Sequence, residues 1–382
     1  MAILNAVLKA IPMLKNLWYV LGHSTDVRAE PVMVTALGQK LVLFRDSAGL
    51  ACALSDVCAH RGGSLSHGRV VAGDVVCPYH GWRYDGNGIC THIPAQPGLR
   101  VPTRARVDAY PTVERFGWVW AFLGDLPPAQ RPPLPDLSWV EDPRFRLVRG
   151  HFDWDASWDR VMENGLDFAH APFVHGTAFG DPAHPEIDDF TVEAGEWQGE
   201  ARMRMYRPRR RSWPAWLARG AAGGRVPVYT TPGYHFSGPC TTLRLEPRPG
   251  WEIRIVSAHL PVDAKRTRTL WMMGRTFMKS ALLDARTRRS NLRIFEQDHA
   301  VLSRVCPQHT PDDWREEVSV RSDGLQIAFR KTLKALEARG WEIDLARMAS
   351  EFAGRKACAI PCPARRESSA WAIAGVPTRG GG

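Results

Sequence analysis

Two short stretches of this chain carry ligand chemistry: Cys58-Ala59-His60 and Cys77-Pro78-Tyr79-His80. Each presents one thiol and one imidazole within a tight turn, so together they offer two sulfur and two nitrogen ligands. A [2Fe–2S] cluster takes that set when two His replace two Cys on one of its irons, which raises the reduction potential well above that of a four-Cys cluster. A tetrahedral zinc takes the same set as Cys2His2. Zinc loops usually pair like with like within each tip, whereas Cys and His are mixed in both tips here. The flanks His60-Arg61-Gly62-Gly63 and His80-Gly81-Trp82 place glycine where backbone must approach bridging sulfide closely. The iron–sulfur reading is favoured, with structural zinc as the alternative.

A second constellation is Glu163-Asn164-Gly165-Leu166-Asp167-Phe168-Ala169-His170, followed by Ala171-Pro172-Phe173-Val174-His175. A helix is expected from Ser157 to about Ala171, which puts Asp167 and His170 on one face. Pro172 is expected to end that helix, letting His175 turn back toward His170. Two His beside a break, completed by a distant carboxylate, make the 2-His-1-carboxylate triad of non-haem Fe(II) oxygenases, whose open face admits O2 and substrate. Asp298, Glu296, Asp284 and Asp323 are candidates for that carboxylate. Asp298 leads, because the run Phe295–Leu302 is amphipathic and apolar enough to pack beside the first helix. Taken alone, two His near a helix end are more often ordinary surface residues.

These motifs need a scaffold, and 382 residues suffice for two domains with a sizeable core. In Met1–Leu17 the apolar residues Ile3, Leu4, Val7, Leu8, Ile11 and Leu14 recur at helical spacing, so 1–17 reads as a capping helix; Lys9 and Lys15 interrupt any signal-peptide pattern. From 18 to 126, short runs such as Val32–Val34, Leu41–Phe44, Val70-Val71, Arg83–Asp85 and Gly117–Phe122 alternate with Gly, Asp and Pro, the pattern of an antiparallel hairpin domain. Residues 127–143 form a Pro-rich extended linker. From 144 to 355 the signals mix: strands near 188–205, 241–259 and 267–277, and helices at about 280–304 and 313–339. Arg207–Arg225 reads as a loop or lid whose charge hints at an anionic or polar substrate, and 356–382 as a flexible tail. Val161, Met162, the strand Leu270-Trp271-Met272-Met273 and Phe295 are candidate pocket residues.

Composition narrows the partners. No run is long enough for a membrane span. Of eight cysteines, two belong to the first motif; Cys52, Cys90, Cys240, Cys306, Cys358 and Cys362 should be free thiols in a reducing cytoplasm. A redox or metal role for the Cys358/Cys362 pair is conceivable. The net charge of +10 favours an acidic redox protein over nucleic acid, since no basic helix with interleaved aromatics is present.

Over nearly its whole length the chain resembles the catalytic α subunit of Rieske non-haem iron ring-hydroxylating oxygenases. The resemblance runs through Cys58-Ala59-His60-Arg61, Cys77-Pro78-Tyr79-His80-Gly81-Trp82, Asn164–His170, His175 and Glu296-Gln297-Asp298. Trp82-Arg83-Tyr84-Asp85 running into Cys90-Thr91-His92-Ile93-Pro94, with Ser322-Asp323 and Ala328-Phe329-Arg330-Lys331, resembles the group acting without a β subunit, which holds monooxygenases and O-demethylases. It implies an α+β chain: an N-terminal all-β Rieske [2Fe–2S] domain and a C-terminal antiparallel-sheet and helix domain with a mononuclear iron. It also implies that Cys58, His60, Cys77 and His80 hold the cluster, and that His170, His175 and Asp298 hold Fe(II). Asp167 would be no ligand but a bridge between His170 and His80 of the partner subunit, in a homotrimer. Electrons from NAD(P)H would arrive through a reductase, with or without a ferredoxin, and O2 would hydroxylate or oxidatively demethylate an aromatic or polycyclic substrate. The competing readings are arene cis-dihydroxylation and a Rieske electron-transfer protein without oxygenase activity.

Overall fold

The computed structural model describes residues 12–176, 180–207, 226–311 and 313–379. The β-branched and aromatic runs of the first domain pair into three antiparallel sheets. One joins Leu17–His23, Trp118–Leu123 and Thr112–Arg115; a second joins Val32–Ala36, Gln39–Arg45, Ala51–Ser55 and Ala109–Tyr110. The third runs Arg69–Val71, Asp74–Val76, Arg83–Tyr84 and Cys90–His92. Cys77–Trp82 is the tip of its central hairpin, and Cys58–Gly63 is a facing tip that follows Ala51–Ser55.

The second domain is built on a seven-stranded antiparallel sheet. Its order is Arg146–Trp154, Arg266–Arg275, Trp251–Asp263, Cys240–Arg248, Val226–His235, Gln198–Arg207 and Asp188–Ala194. The helix Trp158–Leu166 lies across the three strands 226–235, 240–248 and 251–263, while Asp284–Leu302 packs on Arg146–Trp154 and Gly324–Glu337 on Gln198–Arg207. Trp158, Tyr234, Phe236 and Phe329 interlock beneath the first helix, Phe236 and Phe329 stacking at 4.9 Å. Each such side chain contributes about 1.5–3 kcal/mol of burial, which fixes the helix that carries the second motif.

Several expectations change. The strands Arg146–Trp154 and Val226–His235 were not anticipated, and the stretches 188–205 and 241–259 are each two strands joined by a turn. The expected helix 313–339 begins only at Gly324, after short 3-10 turns. The expected helix 157–171 ends at Leu166, because Asp167 is extended (φ −82°, ψ 122°). Pro172 ends nothing: it sits in the first turn of a new short helix, Ala171–Val174, where its missing N–H costs no hydrogen bond. Of the expected helix 1–17, residues 1–11 lie outside the described residues. The rest is not helical: Leu14 bridges Glu342, Lys15 N–H donates to Trp341 O, and Leu17 opens a strand. Residues 127–143 are packed, with Leu137 and Val140 buried and Pro132 O accepting from the Trp18 indole. Nor is the tail loose. Cys358–Ala359 pairs with Ala374–Gly375, Arg365 clasps Asp108 at 2.6 and 2.7 Å, and Tyr110 Oη donates to Ile360 O. Cys358 and Cys362 are buried there as free thiols. The Arg207–Arg225 loop lies outside the described residues beyond Arg207.

Candidate metal centres

The two cysteines of the first motif are 2% exposed, and both tips are cinched by turns. Gly62 N–H donates to Cys58 O and Gly81 N–H to Cys77 O, each at 2.9 Å. Gly62 and Gly81 both sit at positive φ, +72° and +71°, which an L side chain rarely adopts. A Cβ on Gly63 would lie 2.9 Å from Cys77 Sγ, so only glycine leaves that sulfur room. The His60 ring stacks on Trp82 at 4.5 Å and meets the His80 ring at 4.4 Å. Among the described residues, His60 Nδ1 is buried without a hydrogen-bond partner, an orphaned lone pair that a metal would satisfy. Two thiols and two imidazoles so arranged fit a Rieske cluster. Tyr84 Oη lies 3.1 Å from Cys58 Sγ; burial, then the adjoining Cys58, push the phenol's pKa upward, so it remains a donor to a thiolate.

The second motif converges with Asp298, the foremost of the four carboxylate candidates. His170 Nε2 and His175 Nε2 are 3.2 Å apart, and Asp298 Oδ1 lies 3.4 Å from the first and 3.0 Å from the second. Asp284 is instead tied to Arg146 and Arg275, and Asp323 caps a turn by accepting from Val320 N–H. Three ligand atoms this close together offer one cation a common site. Burial would lower the His170 pKa, but Asp167 and Asp298 outweigh it and raise it to about 9. Burial opposes ionisation of Asp298, yet the two imidazoles hold its carboxyl below the usual range. The donor set therefore fits a dication such as Fe(II). The end of the helix at Leu166 creates this geometry: His170 precedes and His175 follows one short helix turn, so both rings turn to the same side.

Neighbouring groups aim the ligands. His175, 2% exposed, presents Nδ1 to Gln297 Oε1 at 2.9 Å, which fixes the tautomer with its Nε2 lone pair toward the triad. Asp167 Oδ2 lies 3.6 Å from His170 Nδ1, while its Oδ1 accepts from Ala169 N–H at 2.8 Å; its side chain is 35% exposed. Gln297 and Tyr84 escape sequence reasoning as to role, although both lie within quoted motifs. The signal for Gln297 was its place beside Asp298 on one helix. A cavity of about 370 Å³ opens over the triad. Of the expected pocket residues, Val161, Phe295 and Met273 line it; Met162, Leu270, Trp271 and Met272 do not.

Comparison with known proteins bears on this pair of sites. Residues 17–111 match the Rieske [2Fe-2S] domain, and 154–339 the vanillate O-demethylase oxygenase C-terminal domain. A methylxanthine N1-demethylase of Pseudomonas putida is 30% identical over 317 residues, 81% of this chain and 80% of that protein. The chain belongs to the Rieske oxygenase family. It is also 38% identical to a toluene-4-sulfonate monooxygenase iron-sulfur subunit of Comamonas testosteroni and 37% to a dicamba O-demethylase of Stenotrophomonas maltophilia. Those two matches cover 44% and 42% of this chain and about half of each relative, 48% and 47%. Among solved structures, the theobromine-bound Pseudomonas putida demethylase superposes with a TM-score of 0.69 at 27% identity, over 87% of this Rieske oxygenase and 93% of that chain. Dicamba monooxygenase, at 24% identity and a TM-score of 0.70, shares the fold.

Proposed function

We propose that this Rieske oxygenase hydroxylates or oxidatively demethylates a small, aromatic or polycyclic organic substrate. Electrons come from NAD(P)H by way of a reductase, with or without a ferredoxin, and the working form is a cytoplasmic homotrimer. The observation that carries the reading is the triad His170, His175 and Asp298 opening onto a largely apolar cavity of about 370 Å³, in a chain that also folds the cluster domain. The relatives named for O- and N-demethylation and for monooxygenation support it.

When bound, the cluster supplies single electrons and the mononuclear iron activates O2. The residues position the rest. His170, His175 and Asp298 would hold the iron by one face, leaving the other toward the cavity. Gln297 orients His175 by a hydrogen bond, and the Asp167 carboxylate stands 3.6 Å from His170 Nδ1. Val161, Leu243, Ile255 and Phe295 keep the cavity dry and grip an apolar skeleton. The half-exposed Asp167 faces outward beside His170, and Tyr79, 65% exposed, projects next to His80. This pairing of surfaces supports electron transfer between subunits through His80 of the partner subunit, Asp167 and His170. Among the described residues no helix is long and apolar enough to cross a membrane.

The test is to load the purified protein, count iron and sulfide, and supply reductase, NADH and a panel of methoxyarenes and N-methyl heterocycles. Formaldehyde or a hydroxylated product, matched to NADH consumed, is expected, with three irons per chain (one cluster plus one mononuclear site). Asp298→Ala should lose one iron and all product while keeping the cluster spectrum. Two irons per chain and no oxygenated product from any compound would leave an electron carrier instead.

A further inference from the structure

Four side chains form a hydrogen-bonded row in one wall of the triad cavity: Trp154, Thr269, His259 and Thr241. Trp154 Nε1 lies 2.8 Å from Thr269 Oγ1, Thr269 Oγ1 2.8 Å from His259 Nδ1, and His259 Nε2 2.9 Å from Thr241 Oγ1. Chemistry assigns the protons. An indole nitrogen only donates, so Thr269 accepts from Trp154. Thr269 is wholly buried, and its own hydroxyl proton has His259 Nδ1 as acceptor among the described residues. His259 is then a neutral imidazole that donates from Nε2 to Thr241. Burial agrees, pushing the His259 pKa down to about 3. Thr241 thus accepts a hydrogen bond from behind, and its own hydroxyl proton is left for the cavity it lines. Gly165 keeps the approach open, since a Cβ there would lie 3.1 Å from Thr241 Oγ1. From the helix side, Asn291 lines the same cavity; it is 6% exposed, and its Nδ2 has no hydrogen-bond partner among the described residues.

We infer that Thr241 and Asn291 are specificity-determining residues that hold an uncharged substrate by hydrogen-bond acceptors (carbonyl or ring nitrogen) and select it over the matching carboxylate. The inference rests on the oxygenase reading and deepens it at the same cavity. Among the described lining residues there is no Arg or Lys, and the carboxylates of Asp298 and Asp167 offset the charge of a ferrous ion. Against these described residues a substrate carboxylate would therefore be desolvated without a counter-ion. A neutral acceptor is dehydrated at far smaller cost and meets the Thr241 hydroxyl and the Asn291 amide, the latter without a partner among the described residues.

Three probes of similar size separate the possibilities: 4-methoxyacetophenone, 4-methoxybenzoate and 4-ethylanisole. Each is titrated calorimetrically into the iron-loaded protein, with cluster absorbance and iron content confirming that every variant is intact. The ketone is expected to bind about tenfold more tightly than either other probe. Thr241→Val and Asn291→Leu should each weaken the ketone roughly fivefold to tenfold and leave 4-ethylanisole unchanged. Thr241→Ser, which keeps both the donor and the partner of His259, should restore the preference. A ketone that binds no better than the carboxylate, or that binds both donor-less variants like the parent, overturns the inference. Failure of the oxygenase reading looks different: the third iron or the product is missing while the ketone preference persists.

Discussion

Gln297 is the most exacting place to perturb the mononuclear site, because it touches no substrate and orients a ligand from behind. Its Oε1 accepts from His175 Nδ1 at 2.9 Å, and His175 is 2% exposed. Gln297→Leu keeps the bulk and removes the acceptor. Water has little access, so the Nδ1 proton is either left unpaired, at a cost of about 1–3 kcal/mol, or moves to Nε2, where it occupies the lone pair meant for the metal. Either route weakens iron binding by roughly 10–100-fold. Gln297→Glu, which retains an acceptor at the same reach, should recover most of the affinity. The assay is Fe(II) release to a colorimetric chelator under anaerobic conditions. The cluster spectrum serves as internal control, since Cys58 and Cys77 belong to a separate core. Iron retention by Gln297→Leu equal to that of the parent would refute the claim that this amide sets the His175 tautomer.

Asp167→Ala should keep both metals yet lower coupled turnover by roughly 100-fold, measured as product per NADH; near-normal turnover would remove Asp167 from the electron route. Tyr84→Phe deletes the phenol hydrogen bond to Cys58 Sγ. That bond favours the more electron-rich reduced cluster, so the potential should fall by roughly 40–60 mV, the equivalent of about 1 kcal/mol, in an EPR-monitored redox titration. Arg330→Ala takes a cation from both Glu163 and Glu317. Because Arg160 still pairs with each of them, the loss should sit at the lower end for a broken buried pair, about 3 kcal/mol, and lower the thermal midpoint on the order of 10 °C.

The two Cys-and-His tips were legible as tight turns because residue identity, spacing and flanking glycine all constrain the same few residues, and Gly62, Gly63 and Gly81 take the tight conformations their positions implied. His170, His175 and Asp298 also meet as anticipated, but by a different route. Sequence reasoning bent the chain at Pro172, whereas the chain leaves its helix at Asp167, whose carboxylate accepts from Ala169 N–H and so competes with the helical pattern. Arg146–Trp154 lacked a readable signature, since its exposed face carries Arg149 and His151 and its pairing partner lies far along the chain at Arg266–Arg275. Roles such as those of Gln297, His259 and Thr241 arise from contacts between distant elements, and no local pattern encodes them. The tail was misjudged because its anchor, Asp108, is a single acidic residue in a hairpin strand region, with nothing nearby to announce an arginine arriving from position 365.

That anchor makes the electron-accepting module inseparable from residues 358–376. Asp108 is 1% exposed and takes two hydrogen bonds from Arg365 and one from Cys362 N–H, and Arg366 reaches Asp125. A fragment cut after residue 126 would lift that seal, opening the Asp108 carboxylate and the Tyr110 hydroxyl to water without their partners. Grafting this cluster onto another scaffold as a portable cassette would therefore require carrying residues 358–376 along with it.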